Sequence, residues 1–366
     1  MYINSLALTH FRNFDEVEVM PGRNINLLVG QNGSGKTSFL EAIYCLGFGR
    51  SFRPASVRQL IQHEHDAYTI FSRVDGSESE GQHQLGFRRL STGEVELKID
   101  RQKEKRFAEL AKLVPVQLMT PESIELILGG PKVRRQFIDW GVFHVEHQFY
   151  QDWVQFSRVL KQRNSLLKQR RGTQSAEMTY WNDSFAQLGE RVQSYRDEYM
   201  TAIAPQLKNY CEAFLPQYQF RFDLRSGWSQ DISLADALHR SAEQDQRYGH
   251  STVGPHKAEI RMFANDEDVK VILSRGQMKL LVAALKLAQG EFLYKKVSRR
   301  CIYLVDDITA ELDSNSQQKF CSALAESQSQ VFVTAIQLEA LMDAFPTAET
   351  KMFHVEHGII KEIQRN

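Results

Sequence analysis

Apolar positions change period twice along the chain. The first hundred residues read as strands: a hairpin over Ile3–Phe14 and Glu16–Val19, a short buried strand at Ile25–Val29, and a meander over 67–75, 82–90 and 94–99. Between them, Gly35 to Phe48 places Phe39, Ala42, Ile43 and Leu46 at helical spacing, and Val114–Met119 is a further strand. From about Glu122 to Phe214 apolar residues recur every third or fourth position (Trp153, Phe156, Val159, Leu160, Leu166, Leu167), which predicts helices interrupted at Pro205 and Pro216. No heptad repeat lasts long enough for a coiled-coil rod. Beyond Phe220, β and α alternate: a strand near 259–263, a helix over 274–295, a strand at 301–305, a helix at 314–326 and a strand at 330–334. The pattern predicts an α/β protein with one core, residues 1–121 and 250–366, split by a mainly helical insertion at 122–249.

The 366 residues carry 45 Lys+Arg against 45 Asp+Glu, so any contact with nucleic acid has to come from a local basic face. Such a face is offered between Lys132 and Arg171, where nine Lys/Arg stand against three acids; Arg134, Arg135, Lys161, Arg163 and Lys168 are the candidates for phosphate contact. Four cysteines without a CxxC pair suit a reducing cytosol, and neither a signal peptide nor an apolar membrane span is expected. The pentapeptide Phe-His-Val-Glu-His occurs at 143–147 and at 353–357, but its spacing fits neither HExxH nor HxxEH, and no metal role is expected of it.

The chemistry concentrates in three places. Gly30-Gln31-Asn32-Gly33-Ser34-Gly35-Lys36-Thr37 fits GxxxxGK[ST] between a predicted strand and a predicted helix. In that setting glycines turn backbone N–H groups onto phosphate oxygens, Lys36 reaches the β- and γ-phosphates, and the Thr37 hydroxyl is a ligand for Mg²⁺. The apolar run Cys301–Val305 ends in Asp306 and Asp307: the first is expected to hold the magnesium, the second to orient or deprotonate the attacking water. Leu273-Ser274-Arg275-Gly276-Gln277 opens a helix about thirty residues earlier. This stretch resembles the LSGGQ signature of ABC-type ATPases, which implies that Ser274, Gly276 and Gln277 contact ATP bound by a second protomer. Ala310-Glu311-Leu312-Asp313 resembles the D-loop of the same superfamily.

Further segments narrow the resemblance. Leu8-Thr9-His10-Phe11-Arg12-Asn13-Phe14, Thr120-Pro121-Glu122, Gly129-Gly130-Pro131, Arg134-Arg135-Gln136-Phe137-Ile138-Asp139, Gly254-Pro255-His256-Lys257 and Met352–Gly358 together resemble the RecF family of recombination mediators, SMC-like ABC-type ATPases, over the whole chain. The resemblance implies a P-loop ABC-type ATPase head (lobe I) with an inserted helical lobe II, and an ATP-dependent homodimer. It also implies binding to gapped DNA and single-strand/double-strand junctions, work with RecR and RecO to load RecA, and slow DNA-stimulated ATP hydrolysis in the cytoplasm. Thr334 stands where transporters carry a switch histidine, which disfavours the alternative of a transporter ATPase subunit. A structural DNA-binding protein that holds ATP without turnover is the other alternative. Gln117 is the candidate Q-loop residue, and Arg12 and Asn13 are candidates for nucleotide contact.

Overall fold

The computed structural model describes residues 1–76, 81–169, 176–307, 312–336, 345 and 350–363. Its strands in chain order are β1 (Tyr2–Phe11), β2 (Phe14–Val19), β3 (Ile25–Val29), β4 (Ala67–Asp75), β5 (Gln82–Leu90), β6 (Val95–Ile99), β7 (Gln102–Glu104) and β8 (Val116–Met119). They continue as β9 (Phe220–Arg225), β10 (Glu259–Ala264), β11 (Glu267–Asp268), β12 (Ile302–Val305), β13 (Gln330–Ala335), β14 (Thr350–Glu356) and β15 (Ile359–Ile363). Two compact units contain them: Met1–Ser123 with Lys279–Asn366, and Ile124–Met278.

The first unit holds two six-stranded sheets. One is antiparallel, in the order β2-β1-β4-β5-β6-β7. The other runs β15-β14-β3-β13-β12-β8, with β14, β3, β13, β12 and β8 mutually parallel. Strands buried on both faces need continuous apolar runs, and all five residues of β3 and all four of β12 are buried. The helix Lys36–Phe48 shares one core with both sheets: Phe39, Leu40, Ile43 and Leu46 pack with Leu28, Leu304 and Phe332 of one and with Ile3, Leu8 and Phe87 of the other. Its burial on nearly every side explains why its sequence is apolar almost all round instead of striped.

The second unit is built on the helices Pro131–Val145, Phe149–Lys168 and Ala176–Phe214, with a three-stranded sheet β11-β10-β9. The last two helices run antiparallel, since Arg163 bonds Asn182 while Asp152 bonds Tyr195. The expected break at Pro205 does not occur; the 39-residue helix continues through it. Pro205 and Thr201 both face solvent, so the Thr201 carbonyl that loses its helical donor is open to water. The boundary expected at 249/250 falls instead at 278/279. The reason is long-range pairing: β10 completes its ladder with β9, from Glu259↔Arg225 to Ala264↔Phe220, and so stays with the helical unit. The helix Arg275–Val297 begins there and continues into the first unit. Among the described residues no helix is long and apolar enough to cross a membrane.

Candidate functional site

The phosphate loop joins β3 to the helix Lys36–Phe48. Gly33 (φ 80°) and Gly35 (φ 123°) take left-handed backbone that side chains resist, and this bends the loop back over the helix end. That end has no side-chain cap and no acid in its first turn, so its positive pole is left to an anion. Lys36, buried, donates Nζ–H bonds to Gly30 O (2.7 Å) and Gln31 O (3.0 Å). Burial holds its ammonium below the usual lysine range, against the opposing pull of Asp307 and Asp306. The Ser34 hydroxyl is buried inside the loop with no hydrogen-bond partner among the described residues. An unspent polar atom beside an uncapped helix end fits a phosphate chain as its complement.

The acidic strand is not the immediate neighbour of the loop strand. β13 lies between β3 and β12, and it brings Thr334 to the junction. The Thr334 hydroxyl donates to Asp306 Oδ1 (2.8 Å) and accepts from the Asp307 backbone N–H (3.1 Å); Thr37 donates to the same Asp306 oxygen (3.1 Å). Burial raises the Asp306 carboxyl above its ordinary range, hydrogen bonds from Thr334 and Thr37 oppose the rise, and nearby Asp307 adds to it. A carboxylate so pressed, beside a threonine hydroxyl, is an oxygen donor set suited to a hard divalent cation such as Mg²⁺. Asp307 sits at φ 52°, a left-handed conformation held by the Thr334 bond.

An open cleft of about 400 Å³ is lined by Arg12, Asn13, Asn32, Gly33, Gly35, Lys36, Thr37, Ser38, Arg53, Gln59 and Asp307. Arg12 and Asn13 reach it because the first strand stops at Phe11, three residues short of the expected Phe14, in a turn with Arg12 at φ 57°. Gln117 is buried instead and donates to Gln289 Oε1 (2.9 Å), which ties β8 to a helix; it is not a cleft residue. Arg53 and Gln59 belong to no motif, so nothing in the sequence marks them as cleft residues.

Ser274, Gly276 and Gln277 lie in the other unit. Ser274 N–H donates to Gln277 Oε1 (2.9 Å) and Gln277 N–H to Ser274 Oγ (3.3 Å), a reciprocal cap on an exposed helix start. Of the D-loop stretch, Ala310 and Glu311 lie outside the described residues; Asp313 caps the helix Ser314–Glu326.

Two of the candidate DNA contacts are buried and do not reach a surface ligand. Arg134 is 5% exposed and forks onto Glu259 (2.6 and 2.9 Å); Arg163 is 2% exposed and pairs with Asp245 (2.8 Å), Ser251 and Asn182. Both are interior ties, and Arg135, half-buried, donates to Ala258 O. Lys161 and Lys168 remain exposed, on the same helical face as Arg158; Arg170 and Arg171 lie outside the described residues. The pentapeptide repeat has no common structure. Its first copy ends a helix and its second forms β14 and a turn. Elsewhere ligand atoms of His10, Asp15 and His65 lie within 4.8 Å of one another, but the two imidazoles stack at 3.5 Å and 10°, so their lone pairs lie in near-parallel planes and do not converge on one ion.

A phosphate loop on a buried parallel sheet, an acidic pair one strand removed and a capped Ser-x-Gly-Gln helix start define an ABC-type ATPase head. The sequence matches the family described as RecF/RecN/SMC N terminal domain over residues 2–361. It is 48% identical over 363 residues to the DNA replication and repair protein RecF of Idiomarina loihiensis, which spans 99% of this chain and all of that one. It is 42% identical to RecF of Shewanella piezotolerans over the full length of both. The fold matches a structure of the recombination mediator protein RecF with ATP (TM-score 0.88, 24% identity, 99% and 98% of the two chains). It also matches an Smc head bound to a ScpA winged-helix domain (TM-score 0.59, 16% identity, 99% and 97%). The chain belongs to the RecF family.

Proposed function

We propose that this protein is an ATP-gated DNA clamp of recombinational repair and fork maintenance, working in the cytoplasm. The observation that carries the reading is the convergence of Thr37, Asp306, Asp307 and Thr334 beside the phosphate loop. In this reading Gly30–Thr37 cradle the phosphates of ATP, Lys36 leaves the loop carbonyls for the phosphate chain, and Thr37 with Asp306 hold Mg²⁺. The cation supplies charge neutralisation at the phosphates. Asp307 orients and accepts a proton from the attacking water; its short side chain suits slow turnover that releases the clamp instead of driving transport. Ser274, Gly276 and Gln277 of one protomer meet the ATP of the other, so ATP joins two chains.

The relatives' name, DNA replication and repair protein RecF, supports DNA as the partner. We place gapped duplexes and single-strand/double-strand junctions as its substrate, RecR and RecO as co-workers, and RecA as the protein loaded. The exposed Arg158, Lys161 and Lys168 stripe offers phosphate contacts, which read structure and not sequence. Two substitutions test the site. Lys36→Met is expected to abolish ATP binding in a filter or fluorescence titration, whereas Asp307→Asn keeps ATP and loses hydrolysis. Undiminished turnover in Asp307→Asn would move the catalytic carboxylate elsewhere.

A further inference from the structure

Two arginines line the phosphate cleft, and one buried carboxylate holds both. Glu41 follows Thr37 by four residues, hence lies on the same side of the helix, and its side chain is 0% exposed. It takes a forked pair of bonds from Arg12 (Nε to Oε2 and Nη2 to Oε1, 2.8 Å each) and further bonds from Arg53 and Ser51. Arg12 Nη1–H also bonds Gln59 O (2.9 Å), and Arg53 Nη2–H bonds Ser38 Oγ (3.2 Å), both in residues of the cleft wall. Burial alone would push the Glu41 carboxyl up, but the bonds from Arg12, Arg53 and Ser51 outweigh it and hold it below the ordinary glutamate range. One carboxylate between two guanidinium groups leaves a surplus positive charge. The Arg53 Nε–H is buried with no hydrogen-bond partner among the described residues. Arginine donors are fixed as a planar fork, so whatever holds one edge aims the others.

We propose that Glu41 is a positioning residue: it locks Arg12 and Arg53 at the cleft so that the guanidinium donors it leaves free meet the phosphate chain of the bound nucleotide. Cleft cations on long flexible stems would otherwise lose rotamer freedom on every binding event. The inference rests on the nucleotide reading above and adds to it a residue that touches no nucleotide.

The test is a calorimetric titration of the full chain with Mg-ATP, wild type beside Glu41→Gln. Losing one charge-assisted set of bonds is expected to weaken the ATP Kd about tenfold with the binding stoichiometry unchanged. A merely structural role does the reverse: it lowers the competent fraction, hence the stoichiometry, and leaves Kd where it was. That result overturns the proposal. Should Glu41→Gln fail to fold by circular dichroism, Arg53→Lys carries the same comparison, because it keeps the charge but removes the Nε donor and the fork. A wild type that binds no ATP would instead bring down the nucleotide reading itself; a binding wild type with an unaltered variant brings down only the role of Glu41.

Discussion

At the scale of single residues, the acid pair is organised by Thr334, whose hydroxyl donates to Asp306 Oδ1 and accepts from the Asp307 backbone N–H. Lys36, Thr37, Asp306 and Asp307 could be named because a strand-loop-helix pattern and a strand-end acid pair stand out locally. Thr334 stands out in sequence only as a missing histidine, yet its hydroxyl joins the Asp306 carboxylate to the Asp307 backbone N–H. Its hydroxyl links them only because β13 separates β3 from β12. Arg134 and Arg163 show the opposite failure: a charge count cannot tell a solvated arginine from one paired with Glu259 or Asp245. Breaking such a buried pair costs about 3–5 kcal/mol, so lost DNA binding in an Arg163 variant would report misfolding. His256 gives a pH prediction. Burial lowers its pKa from 6.5 to about 4, so the unfolded chain takes up the proton first. Stability contributed by the neutral ring is therefore complete above pH 6.5 and lost as the pH falls towards 4, by no more than about 3 kcal/mol. Urea unfolding at pH 7 and pH 5 should show the difference in wild type and a smaller one in His256→Asn.

At the scale of elements, several segments that carry the sequence resemblance to the family are structural ties. Asp139 is forked onto Arg196, which also bonds Pro255 O (2.7 Å), while Arg134 and Arg135 reach Glu259 and Ala258. The Arg-Arg-Gln-Phe-Ile-Asp and Gly-Pro-His-Lys stretches thus fasten to one another within the second unit. The terminal Phe353–Gly358 stretch acts on the phosphate loop. Gly358 N–H (3.3 Å) and Asn13 Nδ2–H (2.9 Å) both donate to Ser34 O, and a Cβ on Gly358 would lie 2.1 Å from Asn13 O. Gly358→Ala, at φ 78°, should cost about 1–3 kcal/mol. Because the turn backs the loop, ATP affinity should fall with it. Unchanged affinity in a titration of the folded variant would confine the turn to stability. Element existence was read correctly for β3, the helix Lys36–Phe48 and β12, whose apolar runs are continuous. The domain return was misplaced because nothing local announces that β10 pairs with β9, some forty residues back.

At the scale of the whole molecule, a net charge of zero averages an acidic pair, Asp306 and Asp307, with a basic helical stripe at Arg158, Lys161 and Lys168. Reversing Lys161 and Lys168 to Glu should weaken binding to gapped duplex and flatten the log-log salt slope by about 0.9 per lost phosphate contact. ATP affinity should stay as it was; an unaltered slope would place the DNA face elsewhere. Whether ATP joins two chains into a clamp on DNA is read by sedimentation velocity with gapped duplex DNA. With ATP the wild type should sediment as a DNA-bound dimer, without ATP as a weakly bound monomer, and Ser274→Arg as a monomer even with ATP. Sedimentation indifferent to nucleotide, or a normal Ser274→Arg dimer, would contradict the clamp.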